Sequence, residues 1–269
     1  MQNFWFKKTI MLKFDYHNHP QAHRDDLHYR EEVLQPWADR ARAIGLTDVA
    51  LTDHDRYKAG VDFDEIKRLQ ERNPDLKLRA GIELDNDPET SAEGKLWTEK
   101  HYDDLDFVLG SVHFVFDFPF DHPHYISEYD KYNIDDLYIE YYRLIQETAK
   151  SGLVDSLAHL DLIKIFKFFP SKDLTDLYSE TLDIIKVADL SMEISTAGYR
   201  KPIGEQYPHF DLIKMAKEKG ISFTIASDAH AAHDLGKNYD KLEAILKEFN
   251  ITEVAVYEKH KKIMLSPFA

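Results

Sequence analysis

Three times along this chain a helix stops at a glycine, a short apolar run follows, and a histidine or an aspartate closes the run. Gly45 leads to Val49–Thr52 and then Asp53 and His54; Gly152 leads to Leu153–Ala158 and then His159; Gly220 leads to Ile221–Ala226 and then Asp228 and His230. Glycine just past a helix takes the left-handed cap conformation because it has no Cβ to clash. A short apolar run bounded in this way reads as a strand buried on both faces, as in a parallel sheet. Four further runs fit the same plan: Leu12–Tyr16 before His17, Lys77–Leu84 carrying Glu83, Phe107–Val112 before His113, and Leu190–Ser195 carrying Glu193. Helical stripes lie between them. Leu137, Tyr141, Leu144, Ile145 and Thr148 form one; Leu174, Leu177, Tyr178, Thr181, Ile185 and Ala188 form another; Phe210, Ile213 and Ala216 mark a shorter helix.

About seven β-then-α units, with no low-complexity linker, predict an α/β protein with a parallel sheet. A closed or nearly closed barrel accommodates that count better than two open sheets. Residues 11–269 are expected to form this single domain, and residues 1–10 an N-terminal extension. In that extension Lys7 and Lys8 follow the aromatic residues, the reverse of a secretory signal, so a cytoplasmic location is expected. No stretch approaches the ~20 apolar residues of a membrane helix, so no membrane partner is expected. Residues 114–133 form the longest irregular stretch, the expected lid of a site.

The strand ends carry the functional signal. In a barrel they converge on one face, so His17, His19, His54, Glu83, His113, His159, Asp228 and His230 become neighbours. Side chains alternate along a strand, which puts His17 and His19 on the same side. A carboxylate such as Glu83 inside an apolar strand requires a partner or a metal. The chain has no cysteine, which excludes thiolate ligands, thiol nucleophiles and disulfides. Imidazole and carboxylate together suit Zn, Mn or Fe as divalent ions. The number of candidates implies two to three ions, with Glu83 as the natural bridge. Ions about 3.5–4 Å apart suit hydrolysis at phosphorus. A net charge of −15 argues against nucleic acid as a partner, but a bound metal reverses the local field and admits an anionic small molecule.

These segments resemble the polymerase-and-histidinol-phosphatase (PHP) superfamily. The resemblance rests on His17-Asn18-His19, Thr52-Asp53-His54, Gly81-Ile82-Glu83, Ser111-Val112-His113, Ala158-His159-Leu160-Asp161 and Ser227-Asp228-Ala229-His230, in the family's order over nearly the whole chain. The segment Glu193-Ile194-Ser195-Thr196-Ala197-Gly198-Tyr199-Arg200-Lys201 resembles the stand-alone histidinol-phosphatase branch. The resemblance implies a distorted (β/α)7 barrel with three metals. His17, His19, Glu83 and Asp228 are expected to hold the first, Glu83, His113 and His159 the second, and His54 and His230 the third with one more ligand from the loop after His19. Family members often have histidine there. An ungapped alignment gives Asp25, with His23 and Asp26 as competitors.

The implied activity is hydrolysis of L-histidinol phosphate to L-histidinol and phosphate by attack of a metal-activated hydroxide on phosphorus. Arg200 is expected to clamp the phosphate and Arg24 ranks second, because guanidinium matches phosphate bidentately. The departing alkoxide needs a proton, from Asp161 or from a water on the third ion, whose ligand His230 is therefore counted as catalytic with Asp161. Asp121, Tyr125, Glu128, Tyr129 and Tyr132 are candidates for an acidic, aromatic mouth, although such a loop more commonly packs on its own aromatics. Two other readings compete. Another PHP phosphoesterase acting on a nucleotide or phosphotyrosine needs the same metals, and a regulatory domain needs broken ligand positions. An amidohydrolase is disfavoured, since its usual carbamylated lysine position holds His113.

Overall fold

The structure, a computed structural model, describes residues 12–116 and 118–268. The proposed N-terminal extension lies outside the described residues. Seven strands form one parallel sheet: β1 (Phe14–Asp15), β2 (Asp48–Leu51), β3 (Lys77–Leu84), β4 (Phe107–Gly110), β7 (Ser156–Leu157), β8 (Ser191–Ser195) and β9 (Ser222–Ala226), in that spatial order. Between β4 and β7 lies a small antiparallel hairpin, β5 (Phe114–Val115) and β6 (Phe118–Pro119); a second hairpin, β10 (Val254–Glu258) and β11 (Lys261–Leu265), follows β9. The helices are α1 (Glu31–Ile44), α2 (Phe63–Arg72), α3 (Ser91–Lys100), α4 (Ile134–Ala149), α5 (Thr175–Val187), α6 (Phe210–Glu218) and α7 (Tyr239–Glu248). None of them is long and apolar enough to cross a membrane.

The two edges of the sheet meet. The Tyr16 N–H donates to Ile225 O at 3.0 Å, His19 N–H donates to Ala229 O at 2.8 Å, and Asn18 pairs with Ala229 as a parallel bridge. The expected nearly closed α/β barrel is thus the observed architecture. Gly45 and Gly220 take positive φ (84° and 70°) at the ends of α1 and α6 as expected, whereas α4 ends at Ala149 with Lys150 as its cap, and Gly152 (φ 74°) lies in the turn beyond. The helices bury most of the expected stripes, Leu137, Tyr141 and Ile145 on α4, Thr181 and Ile185 on α5, and Ile213 and Ala216 on α6, though Phe210 is exposed; α1 buries Leu34, Trp37, Ala38 and Ala41. Ala188 departs from this, lying exposed just past the end of α5. β1 and β7 are shorter than their apolar runs, mostly at their N-terminal ends.

The β10–β11 hairpin seals the opposite end, a role its sequence did not disclose. Tyr257 N–H donates to the Tyr16 hydroxyl at 3.0 Å, and the Tyr257 hydroxyl donates to Asp155 O at 2.9 Å. Buried Arg79 grips Asp48 at 2.9 Å and reaches Glu258 at 3.0 Å. His260 bridges Asp155 and Tyr102 O, both at 2.8 Å. Asp48 opens β2, and Ser191, whose Oγ lies 2.7 Å from the Tyr257 hydroxyl, opens β8, so these contacts mark the N-terminal end of the barrel. The other end is left for chemistry.

Candidate metal centre

Each strand end brings its side chain to one place for a local reason. Asn18 Nδ2 donates to Ala50 O at 3.0 Å, which pins the end of β1 to β2 and turns His17 and His19 the same way. Gly81 lets β3 pass tightly between its neighbours: a Cβ there would stand 3.1 Å from both Leu51 O and Phe107 O. Two residues on, Glu83 emerges fully buried at the centre.

The Glu83 carboxylate serves two groups of imidazoles, one per oxygen. Oε2 lies 3.2 Å from His17 Nε2, 3.5 Å from His19 Nε2 and 2.9 Å from His54 Nδ1. Oε1 lies 3.3 Å from His159 Nε2 and 3.8 Å from His113 Nε2. Asp228 Oδ1 joins the first group, 3.2 Å from His19 Nε2 and 3.8 Å from His17 Nε2. Tetrahedral ligands at Zn–N and Zn–O distances of about 2.1 Å are separated by roughly 3.4 Å, so these spacings match donors around a common ion. A third group gathers ring nitrogens of His19, His54 and His230 within 4.8 Å of one another.

Hydrogen bonding makes the same point. His17 Nε2, both ring nitrogens of His19, His54 Nδ1 and both oxygens of Glu83 are buried without a hydrogen-bond partner. Buried polar atoms are ordinarily satisfied, and a buried carboxylate above all. A set of imidazole and carboxylate donor atoms, all orphaned and all convergent, fits divalent metal ions.

Electrostatics couples these groups. Burial opposes charge on His17, but the carboxylates of Glu193, Glu83 and Asp228 outweigh it and hold the imidazole well above its usual value. His113 is pushed up to about 10 in the same way, burial being outweighed by Asp85. Burial opposes ionisation of Glu83, and His54 and His17 outweigh it and hold the carboxyl far below its normal range. His19 goes down, through burial and then the neighbouring His230 and His54.

Two carboxylates absent from the sequence-derived ligand set orient the rings. Glu193 Oε2 meets His17 Nδ1 at 2.8 Å, and Asp85 Oδ2 meets His113 Nδ1 at 3.0 Å. Such partners fix the tautomer and leave Nε2 for a metal. The available signal was Glu193 itself, a carboxylate inside an apolar strand like Glu83.

The candidates of the loop after His19 separate. The His23 ring lies 4.4 Å from His230 and 5.0 Å from His54, centroid to centroid. His23 and Asp25 are both exposed, and neither belongs to the metal-capable groups among the described residues. Arg24 and Asp26 are exposed and spent on one another at 2.7 Å. Ring stacking favours His23 over Asp25 beside His54 and His230, and Ala22 and His23 take positive φ (48° and 61°) in the turn that carries it.

Arg200 has a different first duty from the expected clamp. Its Nη2 donates to Ser227 O at 2.6 Å and Asp228 O at 2.9 Å, steadying Asp228 in a left-handed conformation (φ 51°), while Nη1 has no partner. Asp161 is likewise committed: Oδ2 pairs with Lys164 at 2.8 Å and accepts from His209 N–H at 2.8 Å, which suits an anchor better than a proton donor. Over the centre lies a cavity of about 470 Å³, lined by ligand residues together with Arg56, Asp121, Lys201 and Tyr207. Of the proposed mouth residues only Asp121 lines it. Tyr129 is buried against Phe168 (4.5 Å), Tyr132 stacks on Phe118 (5.5 Å), and Glu128 pairs with Lys131.

Comparison with known proteins places this geometry in context. The PHP domain family model matches residues 15–197. The chain is 32% identical over 243 residues to a probable histidinol-phosphatase of Deinococcus radiodurans, covering 84% of this chain and 90% of that protein. It is 25% identical over 284 residues to the histidinol-phosphatase of Lactococcus lactis, covering 94% and 98%. The fold is shared with a crystal structure of histidinol phosphate phosphatase from Lactococcus lactis complexed with zinc, L-histidinol and phosphate. The TM-score is 0.74 at 21% identity, over 93% of this chain and 98% of that one.

Proposed function

The chain belongs to the PHP domain family, and from that premise we propose that it is a metal-dependent histidinol-phosphatase of histidine biosynthesis, hydrolysing L-histidinol phosphate to L-histidinol and phosphate. The observation that carries the reading is the Glu83 carboxylate, buried, without hydrogen-bond partners, and facing a different set of imidazoles with each oxygen. His17, His19, Glu83 and Asp228 would hold one ion, Glu83, His113 and His159 a second, and His54, His230 and His23 a third. Zn, Mn and Fe all suit these donors. Bound divalent ions supply activation of water and neutralisation of charge at a phosphoryl group.

The rest falls to the chain. Glu193 and Asp85 hold His17 and His113 in the tautomer that presents Nε2. Arg200 steadies Asp228 through its carbonyl, and its Nη1 is buried without a partner, outside the residues that line the cavity. Lys201 and Arg56 bring positive charge to the mouth, and Asp121 offers a carboxylate to the ammonium of histidinol. One domain spanning residues 11–269, working in the cytoplasm, is part of the same proposal.

The test is phosphate release from histidinol phosphate, AMP, phosphotyrosine and p-nitrophenyl phosphate, with metal-reconstituted and chelated protein. Metal-dependent turnover strongly favouring histidinol phosphate is expected. Equal turnover of all four, or preference for another ester, would leave the barrel and remove the substrate.

A further inference from the structure

Tyr207 is completely buried and its ring lines the cavity over the metal centre, yet its hydroxyl has no hydrogen-bond partner. Native structures rarely leave a buried hydroxyl unpaired unless a ligand or a water takes its place. The setting of this phenol is tightly fixed. Tyr207 exchanges two backbone hydrogen bonds with Ser195 at the end of β8, at 2.7 and 3.0 Å. On one side Lys164 holds the Glu205 carboxylate at 2.7 Å and the Gln206 carbonyl at 3.1 Å. On the other, His209 N–H is tied to Asp161. A Cβ at Gly198 would stand 2.0 Å from Glu205 O and 3.0 Å from Tyr207 Cε2, so only glycine lets the two segments meet. The ring ends edge-on to His159, centroids 6.3 Å apart.

We propose that the Tyr207 hydroxyl contacts the substrate, donating a hydrogen bond to an oxygen of the phosphoryl group held at this centre. The proposal rests on the phosphoesterase reading and adds a residue to it. A phosphoryl oxygen is an acceptor, and a phenol is a neutral donor that does not compete for metal as another imidazole or carboxylate would. Burial, followed by Asp161, Asp121 and Asp228, keeps the phenol protonated and hence a donor.

The experiment is Tyr207→Phe in the metal-loaded full chain, read by metal content, by kcat/KM for histidinol phosphate and by the affinity for inorganic phosphate. Loss of a hydrogen bond to a charged acceptor predicts kcat/KM about 10- to 100-fold lower and phosphate binding roughly tenfold weaker, with metal content unchanged. If both values stay within about twofold, the contact does not exist, and any loss of thermal stability then assigns the hydroxyl to Asp161 Oδ1, which also lacks a partner. Loss of metal from the variant would equally overturn the proposal, by making Tyr207 a support of the ligands. Should the wild type bind phosphate but fail to turn over histidinol phosphate, the substrate reading falls, and the phosphate affinities still decide the role of Tyr207.

Discussion

At the scale of single residues, the candidate centre divides into side chains placed to face an ion and side chains that aim them. Glu193 belongs to the second kind, 2.8 Å from His17 Nδ1. Replacing such a partner commonly weakens metal binding by about 10- to 100-fold. Glu193→Gln should therefore raise the metal dissociation constant by that factor in a chelator competition, without unfolding the barrel. An unchanged constant would mean that His17 needs no help to present Nε2. The loop after His19 offers a sharper comparison. His23→Ala should lose one ion by elemental analysis, whereas Asp25→Ala should keep the full complement. The reverse result would restore the ungapped alignment and discard the inward turn at Ala22 and His23. Arg24 illustrates why residue type alone misleads: a guanidinium suits phosphate, but this one faces solvent beside Asp26.

At the scale of elements, the two ends of the strands have separate work. Their C-terminal ends carry the ligands, and their N-terminal ends meet the β10–β11 hairpin. Arg79 joins these, on the same strand as Glu83 but reaching Asp48 and Glu258 at the far end. Removing one partner of a buried ion pair costs about 3–5 kcal/mol, because the other charge stays buried alone. Arg79→Met should lower the melting temperature by roughly 10 °C, at about 2–4 °C per kcal/mol for a chain of this size. The kcat/KM of the folded variant should stay within about twofold of wild type. A large kinetic defect with normal stability would show that the two ends are coupled. The lid follows similar logic. Most of its aromatics pack on one another, and Asp121 is the mouth candidate that turns inward.

At the scale of the whole molecule, β1, β2, β3, β4, β7 and β9 each carry or lead into a candidate ligand, and β8 supplies Glu193. Metal binding therefore ties together strands that are distant in sequence. Ligand at about a thousand times its dissociation constant contributes roughly 4 kcal/mol. Chelation near pH 8 should then lower the melting temperature by about 10 °C. The sign with pH follows from His17 and His113, both held above their usual values without metal. Their protons must leave before metal enters, so acid competes with metal, and the gap between metal-loaded and chelated protein should narrow from pH 8 to pH 5.5. In the chelated protein His113 acts oppositely: its contribution is complete below 6.5 and fades as pH rises through about 10. Differential scanning with and without chelator across this range measures both trends. A gap that stays constant on acidification would remove these two rings from the metal ligands.

How far the sequence reaches is clear from particular residues. Gly45 and Gly220 stop helices because only glycine is free of Cβ strain there, and the apolar runs after them are strands because nothing else buries both faces. Those are local rules, and with them the sequence alone determined the α/β barrel, the strand ends and the histidines and carboxylates that stand on them. What the tertiary structure decided is which of those groups face one another. His23 stacks beside His230 and His54 from a turn made by two residues in positive φ. Asp161 pairs with Lys164, and Arg200 commits one nitrogen to the carbonyls of Ser227 and Asp228. The β10–β11 hairpin finds its place under the barrel through Tyr16, Asp155 and Arg79, residues far away along the chain. Such pairings depend on the distance through space, which spacing along the sequence does not encode.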